Sequence, residues 1–173
     1  MDSYKIDEHI LLRFAEEKDT FLILEFIRGL AEYEHLLDTV KINETDIKYY
    51  VFEKKLIEVV IGEYDGNPAG FALFFHNFST FVGKPGIFIE DIFVKPEFRG
   101  RGLGRIFFSF LAKIALERDC GRMEWSCLNW NKPSIEFYKS QGARALDEWT
   151  VYRIVENGFK NLAEKYDFLL TKD

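Results

Sequence analysis

The chain has little of what builds disulfide scaffolds, metal centres or membrane spans. Its 173 residues include two cysteines, Cys120 and Cys127, and three scattered histidines, His9, His35 and His76. Two cysteines are too few for a disulfide framework, and their spacing does not suit zinc, so no metal site is expected. The longest apolar run covers only 69–75, far short of the roughly 18 residues that cross a bilayer as a helix. The first residues, MDSYKIDEH, are polar and acidic and lack a signal-peptide pattern. With four prolines and no low-complexity linker, the expectation is one soluble, reduced, cytoplasmic domain without a membrane partner. Basic residues are outnumbered by acidic ones, 23 to 29. The net charge is −6, which argues against a nucleic-acid partner, since that needs a basic surface.

Apolar and aromatic residues are abundant, at 47% and 17%, with 18 phenylalanines, enough for a packed core. Charge divides along the chain. Residues 1–98 hold 10 basic against 19 acidic side chains, a balance of −9, and 99–173 hold 13 against 10, a balance of +3. Such a division suits a cationic ligand on one side and an anionic one on the other, or merely an uneven solvated surface.

The pattern predicts strands at 9–14, 56–64, 69–78, 87–94 and 122–128, with one or two closing strands in 144–155. Asp65-Gly66-Asn67-Pro68 is a turn between antiparallel strands. Helices are predicted from an Asp19 cap to about residue 34, after an Asn43 cap, over 102–118 and over 133–141, with a short terminal helix. Ile106, Phe107, Phe110, Leu111 and Ile114 form the apolar stripe of the third helix. The fold class is mixed α/β: a mostly antiparallel sheet flanked by helices, in a single domain.

Between a strand and that long helix lies Arg99-Gly100-Arg101-Gly102-Leu103-Gly104-Arg105. Glycines let backbone approach a ligand, a helix start presents free N–H groups, and arginines add positive charge, so a pyrophosphate is the natural occupant. A purely structural turn is the plainer alternative. The sequence lacks the GK[ST] of a Walker loop, and Arg105 stands where a dinucleotide fingerprint needs glycine.

This turn, with Asn131 and Tyr138 downstream, resembles the GNAT acetyltransferase superfamily. RGLAEYEHL near Arg28, IFIEDIFV, PEFRGRGLG and WNKPSIEFYKSQGA together resemble the spermidine/spermine-type diamine acetyltransferases. Where polyamine-type members can carry an acid, this chain has Ser79-Thr80, which is similar to the branch favouring thialysine. The resemblance implies acetyl-CoA as co-substrate, bound by Ile92, Phe93, Val94, Arg99 to Arg105, Asn131, Pro133 and Ser134. It implies that the Ile92 N–H meets the thioester carbonyl and that Tyr138 donates to the leaving sulfur. It favours Glu90 over Asp91 as the cleft carboxylate that binds the ammonium and relays its proton, and it implies a homodimer.

The residues themselves leave some of this open. Adjacent strand residues such as Glu90 and Asp91 face opposite sides unless a bulge intervenes, and the two could instead form a salt-bridged pair at a strand edge. A helical tyrosine such as Tyr138 is often just packed, and Asn131 could merely cap a helix. Tyr33, Glu34, Asp91, Glu148 and Trp149 are candidates for an amine pocket, because carboxylates and aromatic faces suit a cation. Cys120 and Cys127 are read as buried packing residues, with no acyl-cysteine intermediate. The expected activity is direct acetyl transfer to a small di- or polyamine or lysine-like amine. A peptide or protein acceptor, or a non-catalytic acyl-CoA sensor, are the alternatives.

Overall fold

Asp65 and Gly66 both adopt positive φ, 49° and 72°, the paired left-handed geometry of a tight hairpin turn. They join β3 (Glu58–Tyr64) to β4 (Asn67–Ser79) in the computed structural model, which describes residues 3–170. Before this hairpin lie β1 (Ser3–Lys5) and β2 (Ile10–Phe14), and after it β5 (Lys84–Val94) and β6 (Arg122–Trp125). The six strands lie side by side in chain order. All neighbouring pairs are antiparallel except β5 with β6, which is parallel. A parallel neighbour requires a crossover, and α3 (Leu103–Glu117) provides it.

The chain divides after Asn131 into two compact units. The first holds the sheet with α1 (Thr20–Tyr33), α2 (Glu44–Ile47), a π-helical stretch Lys48–Glu53 and α3. The second holds α4 (Lys132–Ser140) and α5 (Glu156–Leu170).

Each face of the sheet has its own core. On one face α1 packs Ile23, Leu24 and Phe26 against Val59, Ile61, Phe71, Leu73 and Phe93, with Phe26 stacked on Phe71 at 5.3 Å. On the other, four of the five residues of the expected α3 stripe are buried, Phe107, Phe110, Leu111 and Ile114 each under 8% exposed, and Ile106 is half-buried. Gly62 lies on this face, where a Cβ would come within 2.7 Å of Phe107. The flat spot admits the ring.

Two expected caps fare differently. Asn43 accepts from the Asp46 N–H and closes a reciprocal capping box at the start of α2. Asp19 precedes α1 as expected but does not cap it. Its carboxylate accepts two hydrogen bonds from Arg13, at 2.6 and 3.0 Å, and one from the Glu16 N–H at 2.8 Å. Arg13 also donates to Glu63 at 2.8 Å.

The closing strands expected in 144–155 do not form among the described residues; that stretch is irregular. Val151 and Tyr152 are 82% and 90% exposed. Strand-forming side chains stabilise a strand only when a neighbour supplies hydrogen bonds and a packing surface. The terminal helix α5 is long rather than short, and β6 stops at Trp125, before the expected residue 128.

Arg13 and Asp19 are 13% and 7% exposed at the side chain. Arg13→Met should therefore leave two poorly solvated carboxylates uncompensated and cost about 3–5 kcal/mol in urea denaturation. Burial alone would raise the Asp19 pKa, but Arg13 and the Glu16 N–H outweigh it and hold it below the ordinary value. Its stabilisation is thus present above about pH 4 and is lost as pH falls through the depressed folded value. Asp19→Asn should flatten that acid slope.

Candidate active site

β5 carries the site, and its pairing is interrupted there. Leu73 pairs with Asp91 while the next residue, Phe74, pairs with Ile89. Glu90 is the extra residue of a β-bulge. On the other edge, β5 pairs with β6 only as far as Ile89 with Trp125. Beyond that point residues 90–94 have no ladder to β6 among the described residues, so backbone groups of this stretch are left for another partner. The exception left open for Glu90 and Asp91, a bulge in place of simple alternation, is therefore what the strand adopts. Glu90 is exposed and Asp91 half-buried. Burial, with Glu90 and Glu34 as like charges nearby, pushes Asp91 up to about 7. Burial also raises the pKa of Glu34, at the C-terminus of α1.

Past Val94 the chain turns through Pro96–Phe98 into the glycine segment. Gly100 and Gly102 adopt φ of 76° and 86°, and a Cβ at either would meet nothing within 4 Å. The space over this backbone is open, and the conformation favours glycine. The Ile106 N–H is the first of α3 to find a helical acceptor, Gly102 O at 3.0 Å. The N–H groups of Leu103, Gly104 and Arg105 therefore point outward, where the helix dipole favours an anion. Arg105 is exposed. Arg101 stacks over Tyr64 at 4.6 Å. Arg99 donates to Val94 O at 2.9 Å and lies over Tyr33 at 4.7 Å and Phe93 at 5.7 Å. These residues fit a phosphate-bearing ligand.

The other expected residues fall as follows. Ile92 and Val94 are half-buried, whereas Phe93 and Leu103 are 6% and 1% exposed. The latter two side chains belong to the cores, which leaves only their backbone available to a ligand. Tyr33 is tied down by its neighbours: its hydroxyl donates to Asn131 Oδ1 at 3.0 Å, beneath Arg99. Asn131 is 5% exposed. Ser79 is also buried, its Oγ accepting the Val82 N–H at 3.2 Å inside the β4–β5 turn. It is a turn residue rather than an open specificity contact. Cys120 and Cys127 are half-buried rather than buried, and partial burial raises both thiol pKa values. In the second unit, Pro133, Ser134 and Tyr138 lie on α4, and Glu148 and Trp149 are exposed in the irregular stretch.

The sequence leaves a bulge at Glu90 and Asp91 open without deciding it, and gives Gly29 of α1 no role. A Cβ on Gly29 would come within 3.0 Å of the Phe93 ring, so this glycine sets how closely α1 approaches β5. A glycine inside a helical stripe was the available signal.

The profile of the acetyltransferase (GNAT) family matches residues 15–143. Thialysine N-epsilon-acetyltransferase of Sus scrofa is 37% identical over 168 residues, covering 90% of this chain and 98% of that protein. L-ornithine N5-acetyltransferase NATA1 of Arabidopsis thaliana is 39% identical over 100 residues, 58% of this chain and 41% of that one. Among solved structures, an integron cassette protein from the mobile metagenome of V. cholerae superposes with a TM-score of 0.75 at 27% identity, covering 91% and 99% of the two chains. The chain belongs to the GNAT acetyltransferase family. Within it, the chain is an N-acetyltransferase, as similarity to thialysine acetyltransferases at 33–37% identity over most of its length supports.

Proposed function

We propose that the chain transfers the acetyl group of acetyl-CoA directly to a primary amine on a short aliphatic acceptor bearing a second charged group. A lysine-like amino acid or a small diamine is meant. The observation that carries this is the grouping of Glu34, Glu90 and Asp91 around the β5 bulge, in a unit whose α3 N-terminus suits an anion. One end favours an ammonium and the other a pyrophosphate. The relatives support the amino-acid form, since they are named for thialysine and ornithine. A spermidine/spermine acetyltransferase-like protein of Homo sapiens is 28% identical over 157 residues, which supports a polyamine less strongly.

In this reading, Gly100 to Arg105 hold the pyrophosphate, and the 90–94 backbone edge lies along the pantetheine chain. The Ile92 N–H faces the thioester carbonyl, where negative charge develops during attack. Asn131, Pro133 and Ser134 bind the rest of the co-substrate, and Tyr138 donates to the departing sulfur. A phenol near pKa 10 and a thiol near 8.5 make that donation only mildly uphill. Glu90 and Asp91 hold the ammonium, with Glu34 and Glu148 as further acidic contacts. A second copy of the chain completes a homodimer, a reading supported by the exposed Trp149, Val151, Tyr152, Ile154 and Val155. Sedimentation should give twice the 20.4 kDa of one chain; a monomer at working concentration would contradict it.

The deciding experiment follows thiol release from acetyl-CoA across thialysine, lysine, ornithine, diamines, polyamines, peptides and monoamines. We expect higher kcat/KM for small acceptors with a second charge than for monoamines of equal length. For dications the advantage should shrink as salt screens the carboxylates. Best turnover of a neutral or aromatic monoamine, unaffected by salt, would overturn the acidic-site reading. A preference for peptides would indicate a protein acceptor, and binding without turnover an acyl-CoA sensor. Tyr138→Phe should lower kcat about 10²-fold with little change in affinity; undiminished kcat would make Tyr138 a packing residue.

A further inference from the structure

We propose that Asp91, rather than its neighbour Glu90, accepts the proton from the incoming ammonium, and that Glu34 sets how strongly it does so. The proposal rests on reading the chain as an acetyltransferase of small aliphatic amines. In an unbroken strand Asp91 would share a face with Ile89. The extra residue at Glu90 reverses this. Ile89 pairs with Phe74, whose ring lies under Arg118 at the end of α3. Asp91 pairs with Leu73 of the α1 core and lies two residues from Phe93, the ring that meets Gly29. A bulge of this kind re-aims the side chains that follow it. Here it turns Asp91 inward to the α1 face and leaves Glu90 exposed.

The surroundings of Asp91 are those of a base rather than an ion-pair partner. Glu90 on its own strand and Glu34 from α1 act on it as like charges, and among the described residues no hydrogen bond or cation lowers its pKa. The Cys127 thiol, beyond β6, feels the same Glu34. Two cations lie on this face: Arg99 is engaged with Val94 O, Tyr33 and Phe93, and Lys95 lies over the Phe26 ring at 5.4 Å. Burial first, then the two carboxylates, lift Asp91 from 3.8 to about 7. That makes it roughly a 10³-fold stronger base than an ordinary aspartate, while still ionised in a large fraction of molecules at neutral pH. Glu90, by contrast, is left exposed by the bulge.

The step balances simply. The bound ammonium gives one proton to the Asp91 carboxylate, and the freed nitrogen lone pair attacks the thioester carbonyl carbon. The C–N bond forms, the C–S bond breaks, and the second nitrogen proton ends on the departing sulfur. Asp91 then returns its proton to water.

Two measurements on the full-length protein test this. Aspartate-labelled protein without substrates is titrated by carbon NMR, and kcat/KM is followed against pH with the best amine of the panel. We expect one aspartate signal titrating near 7 that is missing in Asp91→Asn and moves to lower pH in Glu34→Gln, which removes a like charge. We expect kcat/KM to rise with pH through the same value and the rise to shift down in Glu34→Gln. Asp91→Asn should lose that limb and at least about 10²-fold of kcat/KM, while Glu90→Gln keeps the limb, displaced to lower pH. An Asp91 signal titrating near 4 overturns the proposal even if no amine is turned over, an outcome that would instead count against the functional reading. A limb that survives in Asp91→Asn and vanishes in Glu90→Gln overturns it too and returns the role to Glu90.

Discussion

β5 has to serve two cores and a ligand edge with a single run of eleven residues, and one inserted residue makes that possible. Before the bulge, Ile87 and Ile89 are buried on the α3 face; after it, Phe93 is buried on the α1 face. Without Glu90 as an extra residue, a single odd-numbered row would run along one face, and either Ile89 or Phe93 would lose its core. The same insertion raises local twist and disrupts the ladder, close to where pairing with β6 ends. Packing of the two cores and exposure of a backbone edge are consequences of one register shift.

Charge is then sorted by what each element can offer. The α3 start presents outward N–H groups and open space above Gly100 and Gly102, and the neighbouring arginines are held by aromatic rings rather than by carboxylates. Among the described residues neither Arg99 nor Arg101 is ion-paired, so both keep their charge near the glycines. The carboxylates Glu34, Glu90 and Asp91 gather instead where α1 ends over β5. Opposite potentials on one scaffold suit an anionic ligand and a cationic one without cross-neutralising each other.

Much of this was legible in the residues, and the failures have a common cause. The Asp65-Gly66 turn, the Asn43 cap and the α3 stripe are encoded within a few positions, so sequence reveals them. The bulge is not local: it is a mismatch between β5 and β4, visible only when Leu73 and Phe74 are set against Asp91 and Ile89. Asp19 departs from its expected cap for the same reason, because Arg13 reaches it from β2 and takes the carboxylate a helix start would have used. In 144–155 the pattern suits a strand, but no described strand pairs with it. β1, three mostly exposed residues, has no apolar pattern to announce it. What depends on a distant partner is what the sequence hides.

Asp19 and Asp91 make the point about function in the same residue type. Both meet a burial penalty that favours the neutral acid. Arg13 reverses it for Asp19, which ends below the ordinary value and stabilises the fold wherever it is ionised. Asp91 has like charges instead of a cation and ends near 7. Its sign is therefore opposite: the folded chain holds a proton that the unfolded chain releases between about pH 4 and 7, so ionising Asp91 opposes folding as pH rises. A residue retained only for stability would have a cation there or be apolar. An ammonium brought against Asp91 would meet a carboxylate that burial and like charges already favour protonating, which is what taking up its proton requires.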